Sequence, residues 1–241
     1  MIDIYLLFVE DFQKCNLEAF ENYLSAEEKE KRTKFVFQKD RDQYLLTRTL
    51  VRKILAQRLG VPFSTLNFGK NEYGKPYLQG FPENFAFNIS HSSGLIALAL
   101  IQNADTIGID VERIDRKLNI DIRDTVFTPE EIQNQLALEE SKQQEAFFEL
   151  WTLKESYMKA IGKGFSLSPK SFRFILGKEQ RKFHENPTES NPEQFAFQLF
   201  TVNSSYNLAV CHPREMNEIN TFRVLPYWEI SRFEIQKRLA V

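Results

Sequence analysis

The residues of this 241-residue chain that most suggest chemistry are acidic. Between Ile107 and Ile114 the pattern alternates, so a strand there would put Ile109 and Val111 on one face and Asp110 and Glu112 on the other. Their Cα atoms would stand about 7 Å apart by the rise of a strand, where two carboxylates repel unless a cation lies between them. A lone D-x-E can equally be a solvated strand face. At about 100° per residue, a helix around Trp151 would gather Phe147, Phe148, Trp151, Glu155, Met158 and Lys159 into one arc of about 120°. That arc sets a carboxylate and an ammonium inside an apolar stripe, where charge is costly unless paired or metal-bound. A plain Glu155–Lys159 salt bridge is the simpler alternative. Together Asp110, Glu112 and Glu155 offer three hard oxygen donors, with Lys159 and Lys154 as positive charge beside them. Such a set predicts a Mg²⁺ site that keeps open positions for phosphate oxygens.

The basic residues point the same way. The whole chain carries a net charge of −2, yet Lys29 to Lys53 is strongly basic. A basic stretch on an acidic chain suggests a local site for an anionic group rather than a nucleic-acid coat. Arg41, Arg48 and Arg52 project from one side of their helix and serve either anion binding or ion pairs with carboxylates at the core edge. Lys31, taken alone, reads as solvated. Tyr73-Gly74-Lys75-Pro76 joins a flexible glycine to a rigid proline around a lysine, a fair cradle for a ligand and also a common turn. Ser90 and His91 stand at a strand end, where backbone N–H groups can hold an anion. Glu130 falls in the first turn of a helix, where a carboxylate stabilises the macrodipole whatever else it does.

Mixed periodicities predict an α+β fold. Met1 to Val9 reads as a strand, Ser25 with Glu28 as a capping box, and Asp40 to Leu59 as a long helix. Phe85 to Ile89 alternates as a strand. Leu95 to Ile101 and Ile107 to Val111 flank a polar turn, as in a hairpin or meander. Thr128-Pro129 opens a helix, and a longer one runs from about Gln143 to Ile161, ended by Gly162 and Gly164. Beyond Pro169 the strand-like segments are Ser171 to Leu176, Phe195 to Val202 and Tyr206 to Val210. Two cysteines cannot make a disulfide framework, the longest apolar run is too short for a membrane span, and no signal peptide is legible. A cytoplasmic protein is expected.

GIDVERI, followed downstream by WTLKESYMKAIGKG and preceded by YGKP and NISHS, resembles the 4'-phosphopantetheinyl transferases of the surfactin-synthetase type, over Phe20 to Pro169. The resemblance implies transfer of the phosphopantetheine arm of coenzyme A to a serine of an acyl carrier protein or a peptidyl or aryl carrier domain, with release of 3',5'-ADP. It implies two pseudo-symmetric α/β lobes, residues 1–105 and 106–241, with the active site between them. Asp110, Glu112 and Glu155 then take the metal-ligand positions, and Lys159 with Lys154 neutralises the pyrophosphate. Ser90 and His91 hold the phosphate end of the coenzyme, Lys31 lies nearby, and Tyr73, Gly74, Lys75 and Pro76 belong to the adenine loop. Glu155, or a water held by Glu130, takes the serine proton. Where relatives carry a lysine this chain has Glu28, which bears on recognition of the 3'-phosphate. A monomer acting on neither nucleic acid nor membrane is implied. The alternatives are a non-catalytic carrier-protein or coenzyme A binding module and a Mg²⁺-dependent nuclease; the first should have lost one of the three carboxylates, and the second lacks its E-x-K spacing.

Overall fold

In a computed structural model, which describes residues 1–81, 84–115, 122–176, 181–185, 194–216 and 218–240, the first strand explains the layering. Along β1 (Ile2–Phe8), Ile2, Ile4, Leu6 and Phe8 pack to one side, while Tyr5 and Leu7 pack to the other. A strand that is apolar on both faces needs a layer on each side. The other strands are β2 (Asn67–Lys70), β3 (Pro76–Gln79), β4 (Phe85–Ser92), β5 (Leu95–Gln102), β6 (Gly108–Arg113), β7 (Phe172–Leu176), β8 (Arg181–Glu185), β9 (Phe195–Val202), β10 (Tyr206–Pro213), β11 (Ile219–Val224), β12 (Ile230–Arg232) and β13 (Gln236–Ala240). The helices are α1 (Ala26–Thr33), α2 (Gln38–Leu59), α3 (Arg123–Val126), α4 (Pro129–Leu136) and α5 (Glu140–Ile161).

Two larger sheets form, ordered β12-β11-β1-β5-β4 and β13-β9-β10-β6, with β2-β3 and β7-β8 as separate hairpins. The sheets face one another across a core that includes Ile4, Leu6, Ala97, Ile109, Val111, Leu208 and Val210. Outside the first sheet lies α2, with Leu46, Leu50 and Ile54 against Leu7 and Leu98. Outside the second lies α5, with Phe148, Leu153 and Tyr157 against Phe197 and Ala209. The result is four layers, helix, sheet, sheet, helix, and each sheet is covered by one 22-residue helix. This is the expected α+β class.

Local signals fix the helix ends. Capping boxes are present at Ser25/Glu28 and Thr128/Glu131, and Gly162 ends α5 in the left-handed conformation, φ 76°. Two features depart from the sequence reading. β5 and β6 are not a hairpin: both edges of β5 are taken by β1 and β4, so the polar turn carries the chain to the other sheet, where β6 pairs with β10. A cut after residue 105 also divides the first sheet, because β11 returns from the C-terminal part to pair in parallel with β1, Ile2↔Ile219 through Leu7↔Val224. Among the described residues no helix is long and apolar enough to cross a membrane.

Candidate active site

Strand β6 is an edge whose N–H groups need partners, and β4, at the edge of the other sheet, provides them from side chains. Ile109 N–H donates to Asn88 Oδ1 (2.9 Å), Val111 N–H to Ser90 Oγ (3.3 Å) and Arg113 N–H to Ser92 Oγ (3.2 Å). The period of two in Asn88-x-Ser90-x-Ser92 thus replaces a backbone ladder and joins the two sheets. The same hydroxyls donate onward, Ser90 Oγ to Asp110 Oδ1 and Ser92 Oγ to Glu112 Oε2, each at 2.8 Å.

The opposing wall is α5, held unusually close by Gly108. A Cβ at that position would sit 1.9 Å from Ser156 O and 2.5 Å from Ala160 N, so only glycine lets the strand meet the helix backbone. Two residues along, Asp110 meets Lys159, whose Nζ donates to Asp110 Oδ1 (2.6 Å) and Ser90 Oγ (3.0 Å). Two further on, Glu112 Oε1 accepts from Trp151 Nε1 (2.9 Å). Lys159 therefore pairs across to the strand and not with Glu155 along its own helix.

The charges do not balance. Burial raises the proton affinity of Asp110, helped by Glu112 and opposed by Lys159 and the Ser90 hydrogen bond. Its Oδ2 is buried without a hydrogen-bond partner among the described residues. Burial, with Asp110 and then Glu112 behind it, pushes Glu155 up to about 7 against the opposing pull of Lys159. Three carboxylates thus crowd one lysine, and one buried oxygen is left open. That hard-oxygen donor set fits a divalent cation. As they stand, no three His, Cys, Asp or Glu side chains among the described residues are drawn tightly enough together to enclose one.

The sequence matches the family description "4'-phosphopantetheinyl transferase superfamily" over residues 106–211 and "4'-phosphopantetheinyl transferase, N-terminal" over residues 12–103. It is 32% identical to 4'-phosphopantetheinyl transferase Sfp of Bacillus subtilis (strain 168), across 81% of this chain and 86% of that one. The chain belongs to the 4'-phosphopantetheinyl transferase superfamily. A second similar relative, 4'-phosphopantetheinyl transferase gsp of Aneurinibacillus migulanus, is 37% identical across 80% of this chain and 82% of its own. Among solved structures, holo-[acyl-carrier-protein] synthase of Thermotoga maritima overlaps 44% of this chain and 61% of its own, at TM-score 0.36 and 18% identity.

Two residues expected at the site of this transferase lie elsewhere. Lys154 turns into the core under α4: its Nζ pairs with Glu131 Oε2 (2.9 Å) and donates to Pro169 O (2.6 Å) and Phe172 O (2.8 Å). Burial brings its ammonium down to about 8, against the pull of Glu131. With its donors engaged there, Lys154 cannot neutralise a pyrophosphate. Glu130 is exposed and pairs with Arg173 (3.0 Å), so it is the neighbouring Glu131, not Glu130, that faces α5.

The remaining residues line the approaches. A cleft of about 590 Å³ is bounded by Lys31, Tyr44, Arg48, Phe68, Lys70 and Pro76. At its floor Glu28 is buried and bound by two arginines: Arg48 Nε donates to Oε1 (2.6 Å) and Arg52 Nε to Oε2 (2.9 Å). Burial would raise the Glu28 carboxyl, but Arg48 and Arg52 together hold it below its usual value. Ion pairing therefore occupies two of the three arginines, while Arg41 donates to Phe35 O. The Tyr73–Pro76 turn docks on the end of α5. Asn71 Nδ2 donates to Gly162 O, and Lys75 Nζ to Ala160 O, both at 2.8 Å, so the Lys75 side chain anchors the turn to the helix. Tyr73 and Gly74 are exposed there. His91 Nδ1 lies 3.1 Å from Gln43 Nε2 on α2, and desolvation followed by the Lys159 charge keeps the ring below its ordinary pKa. Asn88, Ser92, Trp151 and Gly108 join the site only in the structure, although the N-x-S-x-S period of β4 is visible in the sequence.

Proposed function

We propose that this transferase takes the 4'-phosphopantetheine group from coenzyme A, with Mg²⁺, and places it on a serine of a carrier protein or carrier domain, releasing 3',5'-ADP. The observation that carries the reading is the network of Asp110, Ser90 and Lys159 where the two sheets meet, beside Glu112 and Glu155. Asp110, Glu112 and Glu155 would hold the cation, which supplies charge neutralisation at the diphosphate. The reaction needs alignment and electrostatic stabilisation more than a strong base.

In this scheme Lys159, fixed by Asp110 and Ser90, stands as a preorganised cation for charge that moves onto the leaving group. The serine oxygen forms a bond to the pantetheine-bearing phosphorus as the bond from that phosphorus to the ADP oxygen breaks. Glu155, whose carboxylate makes no hydrogen bond among the described residues, accepts the serine proton. The cleft of Lys31, Tyr44 and Lys70 takes the nucleotide, and His91, Tyr73 and Gly74, which lie outside its lining, would complete the binding of the coenzyme. Because Arg48 and Arg52 neutralise Glu28, the acidic residue does not repel the 3'-phosphate, and the surplus charge of the cleft is positive. The reading extends to a cytoplasmic monomer.

The test is chromatographic. An apo carrier protein, coenzyme A and Mg²⁺ should yield 3',5'-ADP in step with modified carrier, and EDTA should stop both. Release of adenine nucleotide without carrier modification, or full activity in EDTA, would refute the scheme.

A further inference from the structure

The loop between α1 and α2 holds two apolar side chains in solvent: Val36 is 82% exposed and Phe37 62%. Phe37 occupies the N-cap of α2 without a side-chain hydrogen bond, a position that favours Ser, Asp or Asn. This phenylalanine neither caps the helix nor packs in the core. The loop beneath it is firmly held. Arg41 Nε donates to Phe35 O (2.8 Å), Arg32 Nε donates to Arg41 O (3.3 Å), and the Phe35 ring lies 5.3 Å from Tyr44. Around the tip, positions 29 to 41 carry six cations (Lys29, Lys31, Arg32, Lys34, Lys39, Arg41) and two carboxylates (Glu30, Asp40).

Its position relates it to the chemistry. Gln43, which reaches His91, is six residues along α2 from Phe37, about 9 Å at the rise of a helix. His91 follows Ser90, the residue that binds Lys159. A protein that delivers a serine to Lys159 must cover the surrounding surface. An ordinary interface of about 800 Å² per partner has a radius of roughly 16 Å. The Val36–Phe37 tip lies at the N-terminal end of the same helix that reaches His91 through Gln43, on the side of the site that such a partner has to cover.

Resting on the transferase reading above, we propose that this tip is a docking surface for the carrier protein. Val36 and Phe37 seat against an apolar patch beside the modified serine, and the exposed Lys29, Lys34 and Lys39 around them face carboxylates of the carrier. Such an arrangement, an apolar centre with a charged rim on a preorganised loop, suits a transient interface.

The test uses the whole enzyme with Val36→Ser, Phe37→Ser and the double variant. Calorimetry with apo carrier in the absence of coenzyme A reads docking independently of turnover. The double variant should lose at least about tenfold in carrier affinity and show a matching rise in carrier KM. Coenzyme A affinity should stay unchanged, and the melting temperature should hold or rise, since serine is the better N-cap. Added salt should weaken carrier binding by the wild type. Variants that bind carrier as well as an active wild type overturn the docking proposal and leave the transferase reading intact. A wild type that binds carrier but modifies none counts against the transferase reading alone. Loss of a wild-type dimer in the variants, or of binding to anionic vesicles, with carrier affinity unchanged, would assign the tip to a different occupant and overturn the proposal.

Discussion

Replacing Glu131 by glutamine should destabilise the protein without touching the chemistry, because the partner it abandons is Lys154. Both side chains are 1% exposed. Glu131 Oε2 also accepts from Thr128 N–H (2.8 Å), and Oε1 accepts from Phe174 N–H (2.8 Å), so one carboxylate ties α4 to α5 and β7. Glu131→Gln leaves the Lys154 ammonium buried without its counter-charge, beside the Pro169 and Phe172 carbonyls. Removing one member of a buried pair costs about 3–5 kcal/mol, which at about 2–4 °C per kcal/mol for a chain of this size lowers Tm by about 6–20 °C. Lys154→Met should cost a similar amount by stranding Glu131, whereas the double variant Glu131→Gln/Lys154→Met should regain most of the loss, as uncharged replacements of buried pairs do. Calorimetric melting of the four proteins measures this, with coenzyme A KM determined below the lowest Tm. If Lys154→Met melts like the wild type but loses coenzyme A affinity, Lys154 is a ligand group and the structural assignment fails.

Asp110→Asn and Glu155→Gln should each abolish carrier modification while circular dichroism and melting stay close to wild type; either variant turning over at the wild-type rate would remove its carboxylate from the site. Lys159→Ala should lower kcat by about a hundredfold or more, as loss of one preorganised electrostatic group does; a change confined to KM would make Lys159 a ground-state binding group. Gly108→Ala should drive β6 and α5 apart and cost at least about 1–3 kcal/mol by overpacking, and a variant as stable and active as wild type would refute the close-approach argument. Because Glu28 is held below its ordinary value of 4.5, its contribution to stability is complete above that pH and is lost as pH falls through the lower folded value. Tm of Glu28→Gln should therefore fall less steeply than wild type over that acid range, and parallel profiles would contradict the pairing with Arg48 and Arg52.

What could be read in advance was whatever depends on local periodicity. Alternation along β6 isolates Asp110 and Glu112 on one face, and the helical arc brings Glu155, Lys159 and Trp151 to meet them. Lys154 shows the limit. It is adjacent to Glu155 in sequence but about 100° away around the helix, and the partner that claims it comes from α4, which only tertiary docking brings near. Glu28 was legible as a capping residue, yet its arginines lie a helix away. β11, β12 and β13 escaped because their order comes from pairing: β11 is half-buried along most of its length and is defined by the β1 edge. The β5–β6 connection reads as a hairpin or meander for the same reason, since a polar turn between two strands does not reveal that β5 has both edges filled.

The central claim is that Asp110, Glu155 and Lys159 transfer phosphopantetheine to a carrier serine. Intact-mass spectrometry of an apo carrier protein incubated with coenzyme A, Mg²⁺ and this enzyme tests it most directly. Wild-type carrier should gain one phosphopantetheine group, whereas carrier whose acceptor serine is alanine, or wild-type carrier with enzyme carrying Asp110→Asn, should gain none. An unmodified carrier across a panel of fatty-acid, polyketide and peptide-synthesis carriers, or equal modification by the Asp110→Asn enzyme, would contradict it.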